Sequence, residues 1–224
     1  MDKIRVLLVD DHTVVRQGLR VLLEAEQDIE VVGEADTGRR AVQLTRKLRP
    51  EVVVMDIAMP NLNGLEATRQ ILKEVPAAKV LVLSSYSDDE YVDRLTEAGA
   101  AGYLLKQTAA TDLIKAIREA KKGNAFFSPS ISRRLLEHYR EAFLKGLPIK
   151  RRREILTTRE AEVLQLIAEG KPNKQIAADL MISIKTVEKH RQQVMNKLHI
   201  HDVAGLTRYA ISKGVIESSA GLRS

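Results

Sequence analysis

Short, uninterrupted apolar runs alternate with stretches of helical spacing through the first half of the chain. The runs are Ile4–Val9, Ile29–Val32, Val52–Met55, Val80–Leu83 and Tyr103–Leu105. Val15, Leu19 and Leu22 recur at helical spacing after the first, and further helices are predicted near 38–48, 64–74, 88–98 and 109–122. Runs that are apolar throughout, instead of alternating with polar residues, mark strands covered on both faces, as in a parallel sheet. Strict alternation of strand and helix predicts an α/β unit, a doubly wound five-stranded parallel sheet over residues 2–122.

The alternation stops near Gly123. Residues 123–154 read as a linker, with Phe126-Phe127-Ser128-Pro129, a polar helix near 130–144, and the basic run Lys150-Arg151-Arg152-Arg153. From 155 to 216 the pattern is all helical. Thr157-Thr158-Arg159-Glu160 fits a capping box, Ser183 caps a helix running to Leu198, and Asp202 caps a last helix to Ser212. Four short helices, the second and third joined tightly, predict a small all-α helix-turn-helix domain.

Composition narrows the chemistry. The 224 residues contain no cysteine, which excludes disulfides, thiolate metal sites and cysteine nucleophiles. No apolar run is long enough for a bilayer span and the start lacks a signal peptide's apolar core, so a cytoplasmic protein without membrane association is expected. Residues 1–122 hold 18 Lys and Arg against 20 Asp and Glu, whereas residues 123–224 hold 18 against 10. A near-neutral front joined to a basic back suggests a regulated module attached to one that binds a polyanion.

Ligands of open α/β sheets sit at the carboxyl ends of the strands. Asp10 and Asp11 follow the first strand and Asp56 the third. Those strands are neighbours in a doubly wound order, so the three acids should converge and need a hard cation, Mg2+ being the natural one. Asp56, directly after the buried run Val53-Val54-Met55, is then a restrained carboxylate able to act as nucleophile toward a phosphoryl group. Ser84 ends the fourth strand with a hydroxyl and Lys106 ends the fifth with an ammonium. Tyr103, by its position alone, is a half-buried aromatic on an edge strand.

Val9-Asp10-Asp11-His12, Met55-Asp56-Ile57-Ala58-Met59-Pro60 with Asn63-Gly64, Leu83-Ser84-Ser85 and Gly102-Tyr103-Leu104-Leu105-Lys106 resemble the flavodoxin-like receiver domain of two-component response regulators. The resemblance implies that Asp56 accepts a phosphoryl group from a sensor histidine kinase. It implies that Asp10, Asp11, Asp56 and the Ala58 carbonyl bind Mg2+. It also implies that Ser84 and Lys106 hold the phosphoryl oxygens, with Tyr103 as an aromatic switch that moves with Ser84. Gln107 follows the lysine where many receivers carry proline, and Ala58 and Tyr86 lie where the family tunes phosphoryl hydrolysis.

In the helix 185–198, Ile184, Val187, Val194 and Leu198 should pack inward, while Lys185, Lys189, Gln192 and Asn196 share the outer face with Glu188 beside them. Such side chains suit base edges and phosphates; a solvated polar stripe would look the same, and Glu188 could instead pair with Lys185 or Arg191. Leu156-Thr157-Thr158-Arg159-Glu160, Asn173-Lys174-Gln175-Ile176-Ala177, Ser183-Ile184-Lys185-Thr186-Val187 and His190 through Leu198 resemble the LuxR-type helix-turn-helix. The whole chain thus resembles a NarL/FixJ-type response regulator. That implies base contacts from Glu188, Lys189 and Gln192. It implies phosphate contacts from Lys174, Lys185, Thr186, His190 and Arg191, although His190 would equally suit a half-buried polar contact. Val203, Leu206 and Ala210 resemble the family's dimer contact, with core packing as the alternative. The expected function is phosphorylation-dependent dimerisation and binding to an inverted-repeat DNA site. A magnesium-dependent phosphohydrolase is one rival, although Ala58 stands where its second acid would be; a constitutive DNA-binding dimer with a vestigial receiver is the other.

Overall fold

The computed structural model describes residues 2–84, 89–144 and 155–216. The chain divides into two compact units. In the first, β1 (Ile4–Val9), β2 (Ile29–Ala35), β3 (Val52–Met55), β4 (Lys79–Ser84) and β5 (Gly102–Leu105) alternate with α1 (Thr13–Glu24), α2 (Gly38–Leu48), α3 (Gly64–Glu74), α4 (Asp89–Glu97) and α5 (Ala109–Lys121). All strand pairings are parallel, in the order β2-β1-β3-β4-β5, with a sixth strand beyond β5. Val52, Val53, Val54 and Met55 are all buried, as a strand covered by helices on both faces requires. Leu113, Ala116, Ile117 and Ala120, spaced as one face of α5, pack with β1, β3 and β4 in the main core.

The sheet therefore has one strand more than the five expected, and it runs past the expected boundary at 122. Gly123, at φ +89°, ends α5 in the left-handed conformation that glycine tolerates. The chain then doubles back as β6 (Phe126–Phe127), pairing Gly102 with Phe126 and Tyr103 with Phe127. Gly102 permits this approach, because a Cβ there would lie 2.2 Å from the Phe126 carbonyl oxygen. With β6 outside it, Tyr103 is not an edge residue; it is 1% exposed, which corrects the half-buried reading. Helix α6 (Pro129–Leu144) follows within the segment read as linker. The run Lys150–Arg153 lies outside the described residues. No cis peptide bond occurs among the described residues, Lys106–Gln107 included.

The second unit holds α7 (Thr158–Ala168), α8 (Asn173–Leu180), α9 (Ile184–Leu198) and α10 (Val203–Ser212). The expected caps form. Thr157 and Glu160 make a reciprocal capping box, Ser183 accepts from the Thr186 amide at 3.1 Å, and Asp202 accepts from the Gly205 amide at 2.7 Å. Met181, left-handed at φ 52°, makes the tight turn between α8 and α9. Lys197 reaches Glu160 at 2.6 Å and ties the end of α9 to the start of α7.

One packing expectation is corrected and one open alternative is narrowed. Ile184 is 45% exposed, because it opens α9 one turn ahead of the point where that helix enters the core, at Val187. Leu206 and Ala210, for which a dimer contact and core packing both stood open, are fully buried in the unit's own core with Val163, Leu166 and Val194, and Val203 alone of the three lies on the surface, at 43% exposure. Helical spacing specifies which residues share a face, not what covers it. Leu206→Ala should destabilise this unit by about 2–5 kcal/mol through the cavity it leaves, and Val203→Ala by much less. Hydrogen exchange of the α7 and α9 amides measures the difference; equal protection losses in the two variants would show Leu206 to be a surface residue.

Candidate functional site

The order β2-β1-β3 reverses direction between β1 and β3, which opens a crevice beyond their carboxyl ends. Register does the rest. Val9 pairs with Met55, and the ladder continues one residue further as the Asp10 amide donates to Ala35 and the Asp56 amide donates to Val9. Asp10 and Asp56 therefore leave adjacent strands at one level, buried to 2% and 5% exposure. Asp11, half-buried, joins them. Oxygens of Asp10, Asp11 and Asp56 and a ring nitrogen of His12 lie within 4.8 Å of one another.

Lys106, directly after β5, spans this group. Its ammonium lies 2.8 Å from Asp56 Oδ2 and 2.7 Å from Asp10 Oδ2. The Ile57 amide donates to Asp56 Oδ1 at 2.8 Å, so one oxygen of Asp56 is fixed by backbone and the other by the lysine. Burial pushes the Asp56 carboxyl up to about 6, opposed by the Lys106 charge and hydrogen bond and reinforced by the Asp10 charge. Burial works against the Lys106 ammonium as well, but the Asp56 and Asp10 charges outweigh it and shift that group upward. The loop after Asp56 is held tightly. The Gly64 amide donates to the Ile57 carbonyl at 2.7 Å, and a Cβ on Gly64 would lie 2.0 Å from the Asp56 carbonyl oxygen. Ala58 sits half-buried in that loop.

Ser84, fully buried, ends β4 in register with Leu105, the residue before Lys106. The structure thus brings Asp10, Asp11, Asp56, Ser84 and Lys106 to the carboxyl edge of four adjacent strands, and places Tyr103 inside β5. Ser85 and Tyr86 lie outside the described residues. The sequence reading gave no role to His12, whose signal was its place beside the acid pair. Its Nδ1 is 2.9 Å from Asp11 Oδ1 and its amide donates to Asp10 Oδ1 at 2.8 Å.

This donor set suits a hard divalent cation. Three carboxylates face a single ammonium, and Asp10 Oδ2 is sealed from solvent with the Lys106 ion pair as its compensation and no well-directed hydrogen bond. A cation here would be held by oxygen ligands, as the acid cluster requires.

In the helical unit, Lys185, Glu188, Lys189, Gln192 and Asn196 form one exposed face of α9, and Lys174 is exposed on α8. Gln192 donates to Asn196 at 2.9 Å. Glu188 pairs with neither Lys185 nor Arg191; Arg191 instead reaches Asn173 on α8 at 3.3 Å. Thr186 is half-buried, its hydroxyl 2.8 Å from that of Ser183. His190 is half-buried with Nδ1 sealed and unbonded, which fits a packing role better than a phosphate contact.

Both units match known families. Residues 6–118 match the response regulator receiver domain, and residues 154–210 match the bacterial regulatory proteins of the luxR family. The chain is 44% identical over 207 residues to the transcriptional regulatory protein LiaR of Bacillus subtilis, covering 92% of this chain and 96% of that protein. It is 39% identical over 214 residues to the response regulator protein VraR of Staphylococcus aureus, covering 96% and 99%. Among solved structures, the RcsB response regulator of Salmonella typhimurium aligns with a TM-score of 0.57 at 32% identity, covering 95% of this chain and all of that one. An RcsB–DNA complex aligns at 0.58 and 29% identity, covering 94% and 99%. The chain is a transcription regulator built from a receiver and a DNA-binding unit. It belongs to the NarL/FixJ-type response regulators.

The raised Asp56 value has a thermodynamic consequence. A carboxyl that ionises less readily in the folded state than at its ordinary 3.8 contributes stability below about pH 4, and loses it as pH rises toward 6. Asp56→Asn removes that loss. The variant should exceed the metal-free wild type in stability at neutral pH by up to about 3 kcal/mol, with the gap closing toward pH 4. Urea unfolding at a series of pH values in chelator measures the gap; one that is constant with pH would contradict the assignment.

Proposed function

We propose that Asp56 is the phosphoacceptor of this regulator, that a sensor histidine kinase in the cytoplasm supplies the phosphoryl group, and that phosphorylation promotes pairing of two chains on an inverted-repeat DNA site. The observation that carries the reading is the Lys106 ammonium held between the buried carboxylates of Asp56 and Asp10 at 2.8 and 2.7 Å, at the carboxyl edge of the sheet. The domain scheme is a receiver over 2–122, a linker over 123–154 and a DNA-binding domain over 155–216. The family matches support it, with β6 extending the receiver sheet into the linker.

Asp10, Asp11, Asp56 and the Ala58 carbonyl would hold Mg2+, which when bound offsets charge on the transferring phosphoryl oxygens. The ionised Asp56 carboxylate is the attacking group. One carboxylate oxygen forms the new bond to phosphorus as the bond from phosphorus to the donor nitrogen breaks, and the electron pair of that bond leaves with the donor imidazole. The Ile57 amide keeps the Asp56 carboxylate plane fixed during attack. Lys106, already against Asp56, then binds a phosphoryl oxygen, and the Ser84 hydroxyl closes on another. Tyr103, buried in β5 between β4 and β6, repacks with that closure.

On DNA, α9 enters the major groove. Glu188, Lys189 and Gln192 read base edges, while Lys174, Lys185, Thr186 and Arg191 approach phosphates. Pairing through α10 uses its exposed side, Val203 and Ile211, since Leu206 and Ala210 are committed to the core.

Selection from a random duplex pool, with and without a small phosphodonor and Mg2+, tests the function. An inverted repeat enriched mainly with the donor is expected, and equal enrichment in both arms would make the receiver vestigial. On the selected site, Gln192→Ala should cost about 1–3 kcal/mol against one base pair, whereas Lys185→Ala should weaken all sequences alike and reduce the salt slope by about 1. Titrations at several salt concentrations distinguish the two; a base-specific loss in Lys185→Ala would reverse the assignment.

A further inference from the structure

Successive residues of an extended strand point to opposite faces, yet Asp10 and Asp11 both enter the acid cluster. The backbone must therefore turn out of the strand between them. The Asp10 amide still belongs to the sheet, donating to Ala35 at 3.1 Å. The Asp10 carbonyl does not. It accepts a hydrogen bond from Arg16 Nη1 at 2.6 Å, a charged donor from the first turns of α1. The same guanidinium is anchored on the other side, with Arg16 Nε donating to Glu34 Oε2 on β2 at 3.0 Å. Arg20 also reaches Glu34, at 2.6 Å, but makes no contact with Asp10. Arg16 is partly buried, and Glu34 neutralises its charge locally, so the guanidinium acts on the acid cluster through the Asp10 carbonyl.

We infer that Arg16 is a positioning residue for the cation site: by holding the Asp10 carbonyl against β2 through Glu34, it sets the plane of the Asp10–Asp11 peptide and so the spacing of the two carboxylates. This rests on the proposal that the cluster binds Mg2+. Because Arg16 itself touches neither the cation nor the phosphoryl group, its loss should alter the affinity for the cation and leave the saturated reaction unchanged.

The test compares the full-length wild type with Arg16→Met, Arg16→Lys and Arg20→Met. Isothermal titration with MgCl2, without phosphodonor, gives the affinity. The rate of phosphorylation by a small phosphodonor, followed against Mg2+ concentration, gives the half-saturating value and the plateau. Arg16→Met should weaken Mg2+ binding by about tenfold or more, as loss of an outer partner of a metal ligand does. Its half-saturating Mg2+ should rise in step, with the plateau rate retained. Arg16→Lys keeps one donor of the two and should recover part of the affinity. Arg20→Met removes a cation from the other Glu34 oxygen but leaves Arg16 bonded to both Glu34 and the Asp10 carbonyl, so it should bind Mg2+ like the wild type. Wild-type affinity in Arg16→Met, or an equal loss in Arg20→Met, would overturn the inference and leave the metal site standing. A wild type that binds no Mg2+ would overturn both. If Arg16→Met does not fold, Arg16→Lys against Arg20→Met gives the same comparison.

Discussion

Three carboxylates gathered at the ends of β1 and β3 around one ammonium is the constraint on which the rest of the receiver depends. Such a pocket is over-supplied with negative charge, and burial makes the surplus harder to screen. The response is visible in Asp56, whose carboxyl is pushed up to about 6, and in Lys106, which is drawn in to contact two acids at once. The arrangement stays responsive because it is not neutral. A cation relieves it from one side. A phosphoryl group on Asp56 would change it from the other, replacing a carboxylate that Lys106 already contacts with oxygens that the same lysine can follow.

The fold supplies the rigidity this tension needs. Backbone hydrogen bonds that continue the ladder past the last strand residues fix Asp10 and Asp56 at one level. Gly64, tolerated only because it has no Cβ, presses the start of α3 onto the Asp56 main chain. Lys106 and Ser84 arrive from β5 and β4, and β6 seals Tyr103 from solvent. A charge change at Asp56 therefore meets a few packed elements in defined contact, the setting in which a local event selects between discrete arrangements.

Much of this was legible from residues alone, for physical reasons. Val52–Met55, alternating with helical stretches, reads as a strand covered on both faces, and in a doubly wound order the acids after such strands converge where the sheet order reverses. Thr157 with Glu160, Ser183 and Asp202 marked helix starts because their side chains satisfy amides that a helix leaves unpaired. What stayed hidden depends on neighbours distant in sequence. A two-residue strand such as Phe126–Phe127 has no periodicity, and its place follows from space left by Gly102 in another strand. Leu206 and Ala210 announced an apolar face, but only packing against Val163 and Val194 shows that the face is spent within its own unit. Ile184 shared the spacing of the inward residues and still lies at the surface, one turn beyond the core. Arg16 carries no motif signal, and His12 only its place beside the acid pair, because their part is set by what they touch.

The most direct test of the account is the affinity of one full-length preparation for its selected duplex, read by fluorescence anisotropy before and after treatment with a small phosphodonor and Mg2+, with Asp56→Asn treated identically. Coupling of ordinary strength predicts that the wild type tightens by about fivefold or more and that Asp56→Asn does not change. Unchanged affinity in a wild type whose Asp56 is shown by mass spectrometry to be phosphorylated would contradict the claim that the acid pocket governs DNA binding.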